Sequence, residues 1–66
     1  MDTQTRTIVR YAIVHRTESI EGAADYAPYK NPEDAHKVRK AVDKRNPHYA
    51  PHRVVRLTIE LEEVEA

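Results

Sequence analysis

The stretch Thr7 to His15 places the tightest limit on the fold of this chain. It reads Thr-Ile-Val-Arg-Tyr-Ala-Ile-Val-His, with no Gly or Pro and with β-branched and aromatic residues throughout, and so predicts a strand. Val9, Tyr11 and Ile13 fall on one face; Ile8, Arg10, Ala12 and Val14 fall on the other. A strand that is apolar on both sides belongs in the middle of a sheet.

The other elements are placed around it. Met1 to Thr5 is polar and predicts a frayed start. Thr17 to Ala23 contains the only glycine, Gly22, which predicts a turn with positive φ. Ala24 to Tyr29 is short and interrupted by Pro28, which fits a poor second strand at a sheet edge. Asn31-Pro32-Glu33-Asp34 reads as a helix start, with Asn31 as the cap, Pro32 at the first position and acids at the positive end of the dipole. Lys44 and Arg45 suit the last turn, and Asn46-Pro47 ends it, giving a helix over 32–45. Its narrow apolar stripe is Ala35, Val38, Ala41 and Val42. A Pro- and His-containing loop leads to a last strand from Arg53 to about Glu63. There Val55, Leu57, Ile59 and Leu61 alternate with Val54, Arg56, Thr58, Glu60 and Glu62.

These elements predict a single α+β domain over 1–66 with order ββαβ and a short acidic tail at 64–66. The expected sheet has three strands in order 2-1-3, with the first strand central and the helix packed on one face. Under the helix, Val9, Tyr11 and Ile13 are expected to meet Val55, Leu57, Ile59 and Leu61. A register whose paired numbers sum to 70 sets Arg10 beside Glu60, a cross-strand ion pair worth about 0.2–1 kcal/mol.

Composition bounds the core and the chemistry. The 66 residues include no Cys, Phe or Trp and four Tyr, so the core must come from Val, Ile, Leu and Ala, with no disulfide to staple it. Such a chain is marginal as a monomer. The formal net charge of zero conceals segregation: residues 35–56 hold seven Lys and Arg against one Asp, for +6, while 17–34 and 57–66 each sum to −4. No apolar run reaches the roughly 20 residues of a membrane span, and no signal-like segment opens the sequence, so a cytoplasmic protein is expected.

Chemistry finds little purchase. His48 and His52 are four apart, but Pro47 and Pro51 exclude the helix that would align them. His15 and His36 lie elsewhere, so neither a metal nor another cofactor is expected. A single Gly rules out a phosphate-cradling loop, and the only Ser, Ser19, lacks a nucleophile elbow. So short a chain leaves little room for a ligand pocket. No catalytic residue is assigned, and a non-enzymatic protein-binding module is the expected function.

Two surfaces stand out for binding. The face left open by the helix would show Ile8, Arg10, Val14, Val54 and Arg56, a mixture of aliphatic and arginine side chains suited to a protein partner. Self-association across it would enlarge the small core, so a homodimer is expected. The alternative is a nucleic-acid module in which Lys37, Lys40 and Lys44 of the helix and Arg53 and Arg56 of the last strand contact phosphates and Tyr49 stacks on bases.

The Asn-Pro-Glu-Asp-Ala helix start (Asn31–Ala35), the Asn-Pro stop (Asn46, Pro47) and the Arg-Val-Val-Arg-Leu strand (Arg53–Leu57) give the chain a resemblance to the small accessory proteins of bacteriophages that infect high-GC bacteria. The resemblance covers the C-terminal half. It implies a protein acting on a host protein, and it carries over no functional residue.

Overall fold

A computed structural model describes residues 4–64 of the chain. Two ten-residue strands, β1 (Thr5–Val14) and β2 (Arg53–Glu62), pair antiparallel along their whole length. Between them the chain forms a short 3-10 turn (Ile20–Ala24), the helix α1 (Pro32–Arg45) and a second 3-10 turn (Pro47–Tyr49). The molecule measures 53 × 21 × 12 Å, with a radius of gyration of 15.1 Å. A compact chain of this length would have a radius near 11 Å. The excess comes from the ribbon, whose strands run roughly 33 Å and reach well past the head formed by everything else.

The expected three-stranded sheet in order 2-1-3 is not formed: the sheet has two strands. The segment expected to supply the third reduces to a single bridge, in which Tyr29 exchanges both backbone hydrogen bonds with Tyr11 at 2.7 and 3.2 Å. Pro28, which has no N–H to donate, immediately precedes that bridge, and the helix begins three residues after it. The bridge does lie on the edge of β1 away from β2, so β1 is central at that one residue.

The register also differs. Paired numbers sum to 67: Ile8 faces Ile59, Arg10 faces Leu57, Ala12 faces Val55 and Ile13 faces Val54. The Arg10–Glu60 pair is absent; the Arg10 guanidinium donates to the carbonyl of Val9 at 2.9 Å. A register summing to 70 would offer as many apolar pairs, Val9 with Leu61, Tyr11 with Ile59 and Ile13 with Leu57, each worth a few tenths to about 1 kcal/mol. The observed one adds Arg53 opposite Val14, where its guanidinium reaches the carbonyls of His15 and Glu18. Because the shift is odd, it exchanges the faces of β2 relative to β1. Val9, Tyr11 and Ile13 now share a face with Val54, Arg56 and Thr58. Val55, Leu57, Ile59 and Leu61 join Ile8, Arg10, Ala12 and Val14.

Two elements cover the head end of the ribbon, one on each face. His52, just ahead of β2, is bonded to Asp43 of α1, and Ile13 and Val42 line one cavity, so α1 lies on the side of Ile13. On the opposite face the Arg53 guanidinium reaches the carbonyls of His15, at 3.1 Å, and Glu18. This fixes the turn that leads into Ile20–Ala24, which lies against both strands, and Ala12, Val14 and Ala23 are buried. That face is therefore not bare, as expected from the sequence, but closed at one end. Among the described residues the buried apolar ones are Ala12, Val14, Ala23 and Ala35, three of them alanines, and the core is correspondingly thin.

Local signals read well for α1, whose bounds match those expected. Asn31 holds the cap position, but its side chain bonds Asp34 at 3.1 Å instead of the helix N–H groups. Gly22 has no positive φ and sits inside the first 3-10 turn, which Ser19 caps by accepting from the Glu21 N–H at 3.3 Å. A Cβ at Gly22 would overlap the Glu18 carboxylate. The strand begins at Thr5, so fraying as far as residue 5 is not seen. Residues 1–3 and 65–66 lie outside the described residues, and of the expected acidic tail only Val64 is described, exposed.

Candidate functional site

The head and the ribbon each present a candidate. In the head, Asp43 anchors the loop that follows α1. Its Oδ1 accepts from the His52 backbone N–H at 2.7 Å and from the ring Nδ1 at 2.6 Å, while Oδ2 accepts from Arg39 at 2.9 Å. Nδ1 therefore carries a hydrogen. His52 is 8% exposed. The backbone and ring hydrogen bonds from His52, with Arg39 beside it, hold the Asp43 carboxyl below its ordinary value of 3.8. A carboxyl whose folded value is depressed stabilises the fold above its unfolded value, and the effect is lost as pH falls through the folded one. Asp43→Asn should thus be less stable than the parent at neutral pH, with the difference narrowing below pH 3.8. Chemical denaturation of both proteins from pH 7 to pH 2 checks this; a gap that stays constant would refute it.

Beside this pin lies a cavity of about 350 Å³, walled by Ile13 and Val42 and by the rings of Tyr26, Tyr29, Tyr49 and His52. The chain does hold a pocket of ligand size, contrary to the expectation from its length. The sequence concealed it because its walls come from β1, the Tyr26–Tyr29 segment, α1 and the 47–52 loop. The His15 ring lies 4.8 Å from that of Tyr49, tilted against it by 41°, and its Nδ1 faces the N–H and hydroxyl of Thr17. Among the described residues no group of three or more His, Asp or Glu is placed to hold a metal ion.

The residues expected to bind a nucleic acid are divided. Lys37, Lys40 and Lys44 are exposed along α1. Arg53 is not free, since its guanidinium holds the 15–18 turn, and Tyr49 has His15 against its ring.

The residues expected to form one open sheet face are divided as well. Ile8, Arg10 and Val14 lie on one face, and Val54 and Arg56 on the other, as the register dictates. Val14 is 3% exposed and belongs to the core. What remains open is the outer part of the ribbon: Arg6, Ile8, Arg10, Leu57, Ile59 and Leu61 on one side. Leu61 is 45% exposed, and Ile8, Arg10, Leu57 and Ile59 are half-buried. Every strand residue on this face from Thr5 to Val14 and from Arg53 to Glu62 is aliphatic or arginine. Glu60 and Glu62 point to the other side. Sequence reading had Ile8 and Arg10 in the site and missed Leu57, Ile59 and Leu61, because it assigned them to the helix side.

Comparison with family models, with curated proteins and with solved structures gave no match. Among the described residues no helix is long and apolar enough to cross a membrane.

Proposed function

We propose that this protein is a non-enzymatic interaction module whose ribbon takes an acidic amphipathic helix of a partner protein on the face of Ile8, Leu57, Ile59 and Leu61. The observation that carries this reading is the sorting of charge across the ribbon: arginines alone accompany the aliphatic side chains on one face. Two strands about 4.8 Å apart make a strip near 10 Å wide, the diameter of one helix. The leucine stripe of such a helix would lie along the strip, and carboxylates at its margins would meet Arg6 and Arg10. The turn at Ile20–Ala24 closes one end and sets where the helix stops.

Two synthetic 15-residue helical peptides with the same leucine stripe test the reading, one carrying Glu and the other Lys at the flanking positions. Fluorescence anisotropy should show binding of the Glu peptide alone, weakened at least tenfold by Arg10→Glu and further by added salt. Equal binding of the two peptides, or binding of neither at millimolar concentration, would count decisively against it.

A further inference from the structure

The outer edge of β2 is self-complementary, and we propose that two copies of the chain pair along it. The pairing is antiparallel about Thr58 and makes a four-stranded sheet in order β1-β2-β2-β1. It does not depend on what the ribbon face binds.

The backbone comes first. Tyr11 directs both its N–H and its C=O to Tyr29, away from β2. Tyr11 and its partner Arg56 are therefore a non-hydrogen-bonded pair, and the N–H and C=O of Arg56 also point away from β1. By alternation the same holds for Val54, Thr58, Glu60 and Glu62. Five consecutive outward positions thus offer a donor and an acceptor each, and none of them bonds another described residue. Exposed edges are ordinarily blunted by proline, a bulge, short length or charged side chains, and here the charges, Arg56 and Glu60, are of opposite sign. β2 has no proline, its one-to-one register leaves no bulge, and it runs ten residues.

The side chains then select the partner. Counting outward from Thr58, Leu57 mirrors Ile59, Arg56 mirrors Glu60 and Val55 mirrors Leu61. A two-fold axis at Thr58 brings each residue opposite its mirror in the other copy. Aliphatic side chains meet aliphatic on one face, and an Arg56–Glu60 pair forms twice on the other. Thr58 exchanges both backbone bonds with its own counterpart. Such an interface is isologous and closes on itself. The Thr58 axis sets one aliphatic residue against a carboxylate, Val54 against Glu62 near the strand ends; moving the axis to Ile59 would set Val55 against Glu63 and Thr58 against Glu60, and moving it to Arg56 or Glu60 would set like charges opposite each other. The edge of β1 is less suited, because Tyr29 already occupies Tyr11 and Arg6 and Arg10 have no carboxylate on that strand to oppose them.

The mass of the intact chain in solution, measured by light scattering or sedimentation between about 10 μM and 1 mM, tests the pairing. The expected value is twice the 7.7 kDa of one chain. Arg56→Glu alone and Glu60→Arg alone should each raise the dimer dissociation constant at least tenfold, and the double exchange should restore it. Thr58→Pro removes an N–H that β1 does not use, so it should give a folded monomer by circular dichroism. A monomeric parent, a dimer that survives Arg56→Glu, or a double exchange that stays monomeric would overturn the proposal. Arg56 and Glu60 lie on the face away from Ile8 and Ile59, so peptide binding can be scored separately in the same variants.

Discussion

Arg53→Met should lower the stability of the domain by about 2–4 kcal/mol, since hydrogen bonds to a charged group are worth roughly 1.5–3 kcal/mol each. The Arg53 guanidinium is the donor to two carbonyls, those of His15 and Glu18; the His15 carbonyl also accepts from the Glu18 N–H, so the Glu18 carbonyl loses most by the change. The substitution also removes the buried Nε, which has no partner, and this offsets part of the loss. For a chain of this size the total stability is of order 3–10 kcal/mol, so the change is a large fraction of the whole. Both bonds come from one nitrogen, Nη2, so Arg53→Lys, whose ammonium also gathers its donors on one nitrogen but on a differently shaped side chain, should recover only part of the loss. Urea unfolding of the three proteins checks the ranking; a loss below about 0.5 kcal/mol for Arg53→Met would show the turn to be held by other means.

The second large effect separates two alanines of α1. Ala35 is 0% exposed, between helix and ribbon, and Ala35→Leu should cost about 1–3 kcal/mol by overpacking. Ala41 is exposed, and Ala41→Leu should stay within about 0.5 kcal/mol of the parent. Thermal melts of the two variants decide the matter, and equal shifts would mean that the helix is seated differently. The contrast matters because helical spacing alone places both alanines in one apolar stripe.

How far the sequence could be read follows from the range of each signal. The helix over 32–45 was legible because its start and stop signals are local: Pro32 and the acids at one end, Lys44, Arg45 and Asn46-Pro47 at the other. Both long strands were legible from alternation and from β-branched content. The register was not. It depends on a balance among cross-strand pairs of similar worth: both registers offer several apolar pairs, and the conspicuous ion pair, Arg10 with Glu60, marks the one that does not form, while Ile8 with Ile59, Ala12 with Val55 and Ile13 with Val54 mark the one that does. Every misassigned face followed from that odd shift, including the placement of Leu57, Ile59 and Leu61 beneath the helix. Arg53 was read as a phosphate contact because nothing near it in sequence reveals that its partners are the carbonyls of residues 15 and 18. The Asp43–His52 pin spans nine residues and a proline-rich loop, and Asp43 looks like any acid on a solvated helix face.

The ladder also bears on how the chain acquires its structure. Its two strands are the first and last elements among the described residues, and its nearest pair, Val14 and Arg53, is 39 residues apart and its farthest, Thr5 and Glu62, 57 apart. No rung can form as a local hairpin. Each must wait for the intervening chain to be gathered in, and the entropy of that closure falls on the folding rate. The ribbon should therefore zip outward from the head, where Val14, Arg53 and the 15–18 turn meet. The outer rungs close last and open first, giving amide protection that declines steadily toward Thr5 and Glu62. The segment that reaches farthest from the core is also the one whose order is borrowed most completely from it.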